Sequence, residues 1–236
     1  ALIHGANVLA ISGNFDAALE LVKEISLKYP ITLVNSLNPY RIEGQKTGSF
    51  EICDYFGDAP DFQVMPVGNA GNITAYWKGY KEYKTQGLSK KLPRMLGFQA
   101  KGASPIVLNK LIKNPKTIAT AIQIGNPASW KSAKEARDES GGLIEMVTDA
   151  QILTAYKILA IKEGVFAEPA SAASVAGLLK LIENGYFRKI DTTVRCKIVC
   201  ILTGQGLKDP ERAIKSIKKP KLLRPDIKAI LKEIEY

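Results

Sequence analysis

Phe62-Gln63-Val64-Met65-Pro66-Val67-Gly68-Asn69-Ala70-Gly71-Asn72-Ile73-Thr74-Ala75-Tyr76-Trp77-Lys78-Gly79-Tyr80 decides how this chain folds. Phe62 to Val67 is a short apolar run of the kind that forms a strand buried on both faces. Gly68 to Asn72 is a turn of small and polar residues. Beyond it, Ile73, Tyr76, Trp77 and Tyr80 recur at i, i+3, i+4 and i+7, the apolar stripe of a helix. Gly87 supplies its C-terminal stop. A strand, a Gly/Asn turn and a helix in direct succession form one unit of an α/β fold. The turn then lies at the carboxyl end of its strand, where open α/β sheets bind ligands.

The same alternation extends in both directions. Upstream, Asn7–Ile11 reads as a strand ending at Gly13. Asp16 opens a helix with Ala18, Leu21, Val22 and Ile25 on one face, Pro30 stops it, and Ile31–Val34 reads as a second strand. Asn35 to Pro39 is a polar connection and a candidate domain crossing. A single helix is expected from about Arg41 to Phe56. Downstream, Arg94–Gln99 and Leu143–Val147 read as strands, and Ser104–Leu111 and Ser129–Glu139 as helices. Asp149 is the expected cap of a helix through Glu163 with Ile152, Ala155, Tyr156 and Leu159 buried. Ser171–Asn184 is a small-residue helix ending at Gly185. Lys197–Thr203 reads as a central strand closed by Gly204-Gln205-Gly206, and a last amphipathic helix runs from about Pro225 to Ile234. The fold class is α/β, a mostly parallel sheet covered by helices on both faces. Residues 1–36 are too short for a domain and read as the remnant of a smaller, mobile α/β domain. Residues 37–236 form the large one.

Composition narrows the function. The 236 residues are 46% hydrophobic and 24% charged, a globular balance. No apolar run approaches the ~18 residues of a membrane span, and the start lacks the pattern of a signal peptide, so neither a membrane nor secretion is expected. The three cysteines, Cys53, Cys196 and Cys200, form no C-x-x-C pair, and His4 is the sole histidine, which argues against zinc. Reduced thiols fit a cytoplasmic protein, with Cys196 and Cys200 on one face of an apolar strand. The net charge of +10 is spread along the chain without an RNA-binding aromatic signature, so nucleic acid is not the expected partner.

Two loops carry candidate chemistry. Gly68-Asn69-Ala70-Gly71-Asn72 lets the backbone approach an anion, and the amides at the helix start point towards it. It is neither G-x-G-x-x-G nor a P-loop, so a phosphate monoester fits better than a dinucleotide or nucleoside triphosphate. A tight turn using glycine only for geometry is the alternative. Thr203, at the end of its strand, either reaches a ligand held at the first loop or serves strand propensity alone.

Four strings carry a resemblance. Pro66 to Tyr80, Asn35 to Thr47, Glu168-Pro169-Ala170-Ser171-Ala172-Ala173-Ser174 and Thr203-Gly204-Gln205-Gly206-Leu207-Lys208-Asp209-Pro210 occur in the order found in the threonine synthase family. The chain resembles about the C-terminal two-thirds of such an enzyme, of the pyridoxal-phosphate-dependent fold shared with the tryptophan synthase β subunit. The first two strings are long and specific, whereas the third is shared with related lyases and dehydratases. The resemblance implies pyridoxal 5'-phosphate as cofactor, its phosphate held by Gly68, Asn69, Ala70, Gly71 and Asn72 and its ring nitrogen by Thr203. It implies that Ser36, Arg41 and Asn69 bind the phosphate of O-phospho-L-homoserine, which is converted with water to L-threonine and phosphate. Arg41 suits that role because its fork of donors matches phosphate oxygens. Glu168 is expected near the cofactor without a chemical role. Family members are commonly homodimers.

One feature of the family is missing. Its Schiff-base lysine sits in a Ser-x-Lys-Asp-Arg string, and no such string occurs here. Lys208-Asp209 is the nearest imitation, but it belongs to the Thr203 loop. The catalytic lysine is expected upstream, in an N-terminal third that this chain does not carry, and the 236-residue chain alone is expected to be inactive. A dehydratase-type lyase and a non-catalytic phosphate-binding fragment are the competing readings. Arg41 speaks against the former, whose substrate has no phosphate.

Overall fold

A computed structural model describes residues 2–13, 15–35, 38–189, 195–217 and 220–234. In chain order the helices are α1 (Phe15–Lys28), α2 (Pro39–Gln45), α3 (Thr47–Phe56), α4 (Gly71–Thr85), α5 (Pro105–Leu108), α6 (Trp130–Glu139), α7 (Asp149–Lys162), α8 (Pro169–Glu183), α9 (Pro210–Ser216) and α10 (Ile227–Glu233). The strands are β1 (Phe62–Pro66), β2 (Arg94–Ala100), β3 (Leu143–Val147) and β4 (Ile198–Cys200). They form one parallel sheet in the order β3-β2-β1-β4.

Alternation along the strands divides the core into two layers. Phe62, Val64, Leu96, Phe98 and Val147 face α7 and α8, packing on Ile152, Ala155, Leu159, Ala172, Ala173 and Ala176. Met65, Met95 and Ile144 face the other way, onto Ile73, Trp77 and Tyr80 of α4 and Ala133 and Ala136 of α6. Small residues on α8 let it approach the sheet closely. A Cβ on Gly177 would lie 2.2 Å from the Phe98 ring, so only glycine fits there. Two buried glutamines interrupt the second layer. Gln63 Oε1 accepts from the Tyr80 hydroxyl at 2.7 Å, and Gln99 Oε1 accepts from Ile106 N and Val107 N, which holds the start of α5 against β2.

Several expectations are corrected. Asn7–Ile11 and Ile31–Val34 are not strands: among the described residues they have no ladder partner, and Leu9 and Val34 are 85% and 76% exposed. A strand without a neighbour leaves its backbone groups unpaired, so an apolar pattern alone does not make one. The Arg41–Phe56 segment is two helices that meet at Lys46. The Ser104 helix is a single turn ended by Asn109 in the left-handed region, φ 51°. Asp149 does not cap α7. Thr148 does, its hydroxyl accepting from Gln151 N while Gln151 Oε1 accepts from Thr148 N, a reciprocal capping box. The Asp149 carboxylate accepts instead from the Thr117 hydroxyl and Ile118 N. Finally, β4 is short and lies at the edge of the described sheet, and Cys196 precedes it rather than sharing its face with Cys200. Its apolar sequence is that of an interior strand, but no described strand pairs with its outer side.

Candidate functional site

At the carboxyl ends of β1 and β4 lies a cleft of about 370 Å³, within the size range of small-molecule sites. Arg41, Ile42 and Gln45 line it from α2, Pro66 and Gly68 to Asn72 from β1 and its loop, Glu168 from the start of α8, and Thr203 and Lys208 from the loop after β4. Segments far apart in sequence are thus brought together by the parallel crossovers.

The Gly68–Asn72 loop owes its shape to two backbone features. A Cβ on Gly68 would sit 3.0 Å from Ile122 Cα and 3.2 Å from the Ala121 carbonyl, so the turn at Thr120–Ile122 closes directly over the loop. Ala70 takes the left-handed conformation, φ 66°, and caps α4 with no side-chain hydrogen bond. The first-turn amides of α4 have no carbonyl ahead of them in the helix and, with the positive end of its dipole, face the cleft. Asn69 is fixed from behind: its Oδ1 accepts from Ala128 N at 2.6 Å and its carbonyl from Ser129 N at 3.1 Å. Asn69 Nδ2 and Asn72 Oδ1 are buried without a hydrogen-bond partner. An unpaired buried amide is costly, and a phosphate in the cradle relieves that cost for Asn69 directly and for Asn72 by rotation of its amide.

Thr203 stands opposite. Its Oγ1 is 3.1 Å from Ser171 Oγ, which accepts from Gly204 N at 2.7 Å and donates to the Gly204 carbonyl at 3.0 Å. Ser171 has one proton. While that proton is on the carbonyl, Thr203 donates to Ser171 and presents lone pairs to the cleft. If Ser171 turns its proton to Thr203, Thr203 can donate into the cleft, and the Gly204 carbonyl still accepts from Glu168 N at 2.9 Å. Thr203 can therefore meet either protonation state of a ring nitrogen.

Glu168 is 3% exposed, and Lys208 Nζ donates to its Oε1 at 3.0 Å. Sequence reasoning did not foresee this pair or the role of Ser171. The glutamate-proline-alanine string was a signal for Glu168 and Ser171, but nothing in the spacing joins them to residues some 30 to 40 positions on.

Arg41 reaches the cleft because α2 is fixed at both ends. Asn38 Oδ1 accepts from Tyr40 N, Asn38 Nδ2 donates to the Leu33 carbonyl, and Pro39 opens the helix. At the far end Lys46 binds Glu43 at 2.6 Å and Glu82 of α4 at 2.8 Å, and Lys78 binds Glu43. These bonds to Lys46 and Lys78 hold the Glu43 carboxyl below the usual range, and those to Glu43 and Glu82 raise the Lys46 ammonium. All the anticipated cofactor residues, together with Arg41, line one cleft. Ser36 lies outside the described residues. Two of the thiols are held protonated at neutral pH: burial pushes Cys53 up to about 11 and Cys200 to about 12.

The family model for "Pyridoxal-phosphate dependent enzyme" matches residues 2–204. Threonine synthase of Halalkalibacterium halodurans is 59% identical over the whole chain, which covers 65% of that protein. The enzyme of the same name from Synechocystis is 55% identical with 60% covered, and that of Methanocaldococcus jannaschii 50% with 60% covered. The chain thus spans less than two-thirds of the length of these relatives. Among solved structures, maize serine racemase superposes with a TM-score of 0.69 at 20% identity, over 91% of this chain and 63% of that one. The processed form of threonine deaminase isoform 2 from Solanum lycopersicum superposes with a TM-score of 0.66 at 22% identity, over 90% and 57%. At such identities they show a shared fold.

Proposed function

We propose that this chain, which belongs to the pyridoxal-phosphate dependent enzyme family, is the phosphate-binding portion of a threonine synthase that converts O-phospho-L-homoserine and water to L-threonine and phosphate. The observation that carries this is a single cleft in which an anion cradle, Gly68–Asn72, faces a second phosphate-matching group, Arg41, with Thr203 beside them. The family's cofactor fits the residues present: the cradle leaves buried amide groups of Asn69 and Asn72 to be satisfied, and Thr203 offers a hydroxyl of either hydrogen-bonding sense.

When bound, pyridoxal phosphate withdraws electrons from the substrate's α-carbon, so that protons there and at the neighbouring carbon are lost more readily. The residues of this chain bind and orient. The loop amides, the α4 dipole and Asn69 hold the cofactor phosphate. Thr203 would hydrogen-bond the ring nitrogen through the hydroxyl that Ser171 steers. Arg41, Asn69 and Ser36 hold the substrate phosphate, which keeps the leaving group in place and selects against amino acids that lack it. Ile42, Ala70 and Ile122 narrow the cleft.

The same reading puts residues 1–36 in a small domain whose partner surface covers the exposed apolar side chains of Leu9, Ile31 and Val34. It makes the whole enzyme a cytoplasmic homodimer. The Ser-x-Lys-Asp-Arg string is absent from these 236 residues, so the isolated chain forms no threonine from O-phosphohomoserine. Calorimetric titration with pyridoxal phosphate present tests the substrate assignment. O-phosphohomoserine binds and homoserine and threonine do not, and Arg41→Ala narrows the difference. Equal binding of threonine would favour the dehydratase-type reading instead.

A further inference from the structure

Helix α2 turns two faces to the rest of the molecule. One, with Glu43 and Lys46, is bound to α4. Lys46 Nζ meets Glu43 at 2.6 Å and Glu82 at 2.8 Å, and Lys78 meets Glu43. A Cβ on Gly79 would lie 2.5 Å from the Lys46 carbonyl, so the end of α2 sits hard against α4 and the helix cannot roll without breaking these bonds. The other face presents Arg41, Ile42 and Gln45 to the cleft, three positions that share one side of a helix. Ile42 Cδ1 lies 3.7 Å from where a Cβ on Gly71 would be, so this face rests on the start of α4, beside the cradle. Gln45 is half-buried there, and its side-chain amide makes no hydrogen bond among the described residues. Its neighbours are all engaged: Glu43 and Lys46 in the ion pairs, and the Thr47 hydroxyl on the Gly44 carbonyl at 2.8 Å. Helical side chains lean towards the N-terminus of their helix, so Gln45 leans to the turn that carries Arg41. Side chains four positions apart start about 5–6 Å from each other, a gap that one phosphate group spans.

We propose that Gln45 is a specificity-determining residue of the substrate-phosphate site, its amide completing the grip on the ester phosphate that Arg41 holds. The inference rests on the reading of this cleft as an O-phosphohomoserine site and deepens it. Arg41 has donors only, so its fork fits a carboxylate as well as a phosphate. Gln45 adds a second contact that a planar carboxylate, with both oxygens on Arg41, leaves unmade. Its amide carries both a donor and an acceptor. That matters because a phosphate monoester loses its second proton near pH 6, so both ionisation states occur around neutrality. To the dianion the amide turns Nε2–H, and from the P–OH of the monoanion its Oε1 can accept. A carboxylate at position 45 could only accept. It would suit the monoanion and repel the dianion.

The experiment is calorimetric titration of O-phosphohomoserine into the 236-residue chain and into its Gln45→Leu and Gln45→Glu variants, from about pH 5.5 to about pH 8, on either side of the ester's second ionisation. Saturating pyridoxine phosphate, which has the cofactor's ring and phosphate but no aldehyde, fills the cradle and cannot condense with the substrate's amine. At the upper pH Gln45→Leu should raise Kd about fivefold, the worth of one hydrogen bond to a charged oxygen at a half-open site, and Gln45→Glu by more than about tenfold. The Gln45→Glu penalty should shrink as pH falls through about 6, where the ester gains a proton that the new carboxylate accepts, while the Gln45→Leu penalty stays level. Arg41, Glu168 and Lys208 in the cleft and Glu43, Lys46, Lys78 and Glu82 behind α2 are common to all three proteins, so the ratio of Kd values isolates position 45. The affinity for pyridoxine phosphate itself, read by its fluorescence, should not change, which shows that both variants fold and keep the cradle. A parent-like Kd in Gln45→Leu, or an equal loss of pyridoxine phosphate affinity, would overturn the proposal. So would a Gln45→Glu penalty that is flat with pH, because a carboxylate that merely captures Arg41 stays ionised down to about 4.3. In each of these cases the substrate reading stands as long as the parent chain still selects O-phosphohomoserine over homoserine. A parent chain that does not distinguish the two removes both.

Discussion

Replacing Ser171 by alanine should separate the two things its hydroxyl does. The side chain is fully buried and makes three contacts: it accepts from Gly204 N at 2.7 Å, donates to the Gly204 carbonyl at 3.0 Å and meets Thr203 Oγ1 at 3.1 Å. In Ser171→Ala the carbonyl keeps its bond from Glu168 N, so it adds little to the cost. The Gly204 amide has no such reserve. A buried donor left unpaired costs about 1–3 kcal/mol, and ~2 kcal/mol lowers Tm by about 4–8 °C in a chain of this size. The second effect concerns the ligand. Without Ser171 the Thr203 hydroxyl loses its orienting partner, and a loss of ~1 kcal/mol in pyridoxal phosphate binding is about a fivefold increase in Kd. Thr203→Val isolates this part, since it preserves volume and leaves the Ser171–Gly204 bonds intact: affinity should fall while Tm changes by less than for Ser171→Ala. Thermal melts of the ligand-free chain and a fluorescence titration with pyridoxal phosphate read both quantities. A Ser171→Ala protein that melts within 1 °C of the parent, or a Thr203→Val protein that is equally destabilised, would refute the assignment of these bonds.

Three further outcomes follow from other parts of the molecule. Arg41→Ala should weaken O-phosphohomoserine binding about tenfold, the worth of roughly one charge-assisted contact to phosphate at an exposed site, and leave Tm unchanged, because no described contact of the fold depends on it; calorimetry and a melt check the two halves. Gly177→Ala should cost ~3 kcal/mol, at the upper end of ordinary overpacking, because its Cβ would enter the Phe98 ring at 2.2 Å; a urea midpoint near that of the parent would show that α8 can move off the sheet. Acid should loosen the turn at Asp58. Burial works to raise that carboxyl, but bonds from Lys90 N, Ala59 N and Lys91 N outweigh it and hold it below its usual value. A depressed folded-state value means the stabilisation is present above the unfolded value of ~3.9 and is lost as pH falls through the lower one. Asp58→Asn should therefore flatten the acid limb of the Tm–pH profile, and an unchanged limb would count against it.

What the sequence made legible, and what it hid, divides along the range of the interactions. The strand–turn–helix at Phe62–Tyr80 is specified locally: period, turn residues and helix stop all agree, and β1, α4 and the cradle follow. Strands Asn7–Ile11 and Ile31–Val34 have the composition of strands but depend on neighbours to pair with, and a run of apolar residues says nothing of whether a neighbour is there. The same gap explains β4, whose residues suit an interior strand while its outer side has no described partner. At the candidate site, the shape of the Gly68–Asn72 turn was legible because it is a matter of backbone, and glycine leaves a mark in sequence. The Ser171–Thr203 and Glu168–Lys208 pairs were not, since each joins two ordinary residues from opposite ends of the α8–β4 segment. Such pairs are defined only when β4 lies beside β1 and α8 crosses beneath it. Features made by the backbone can thus be read one segment at a time. Residues defined by a long-range partner need the fold first, and it is among the second kind that Ser171 and Lys208 were found.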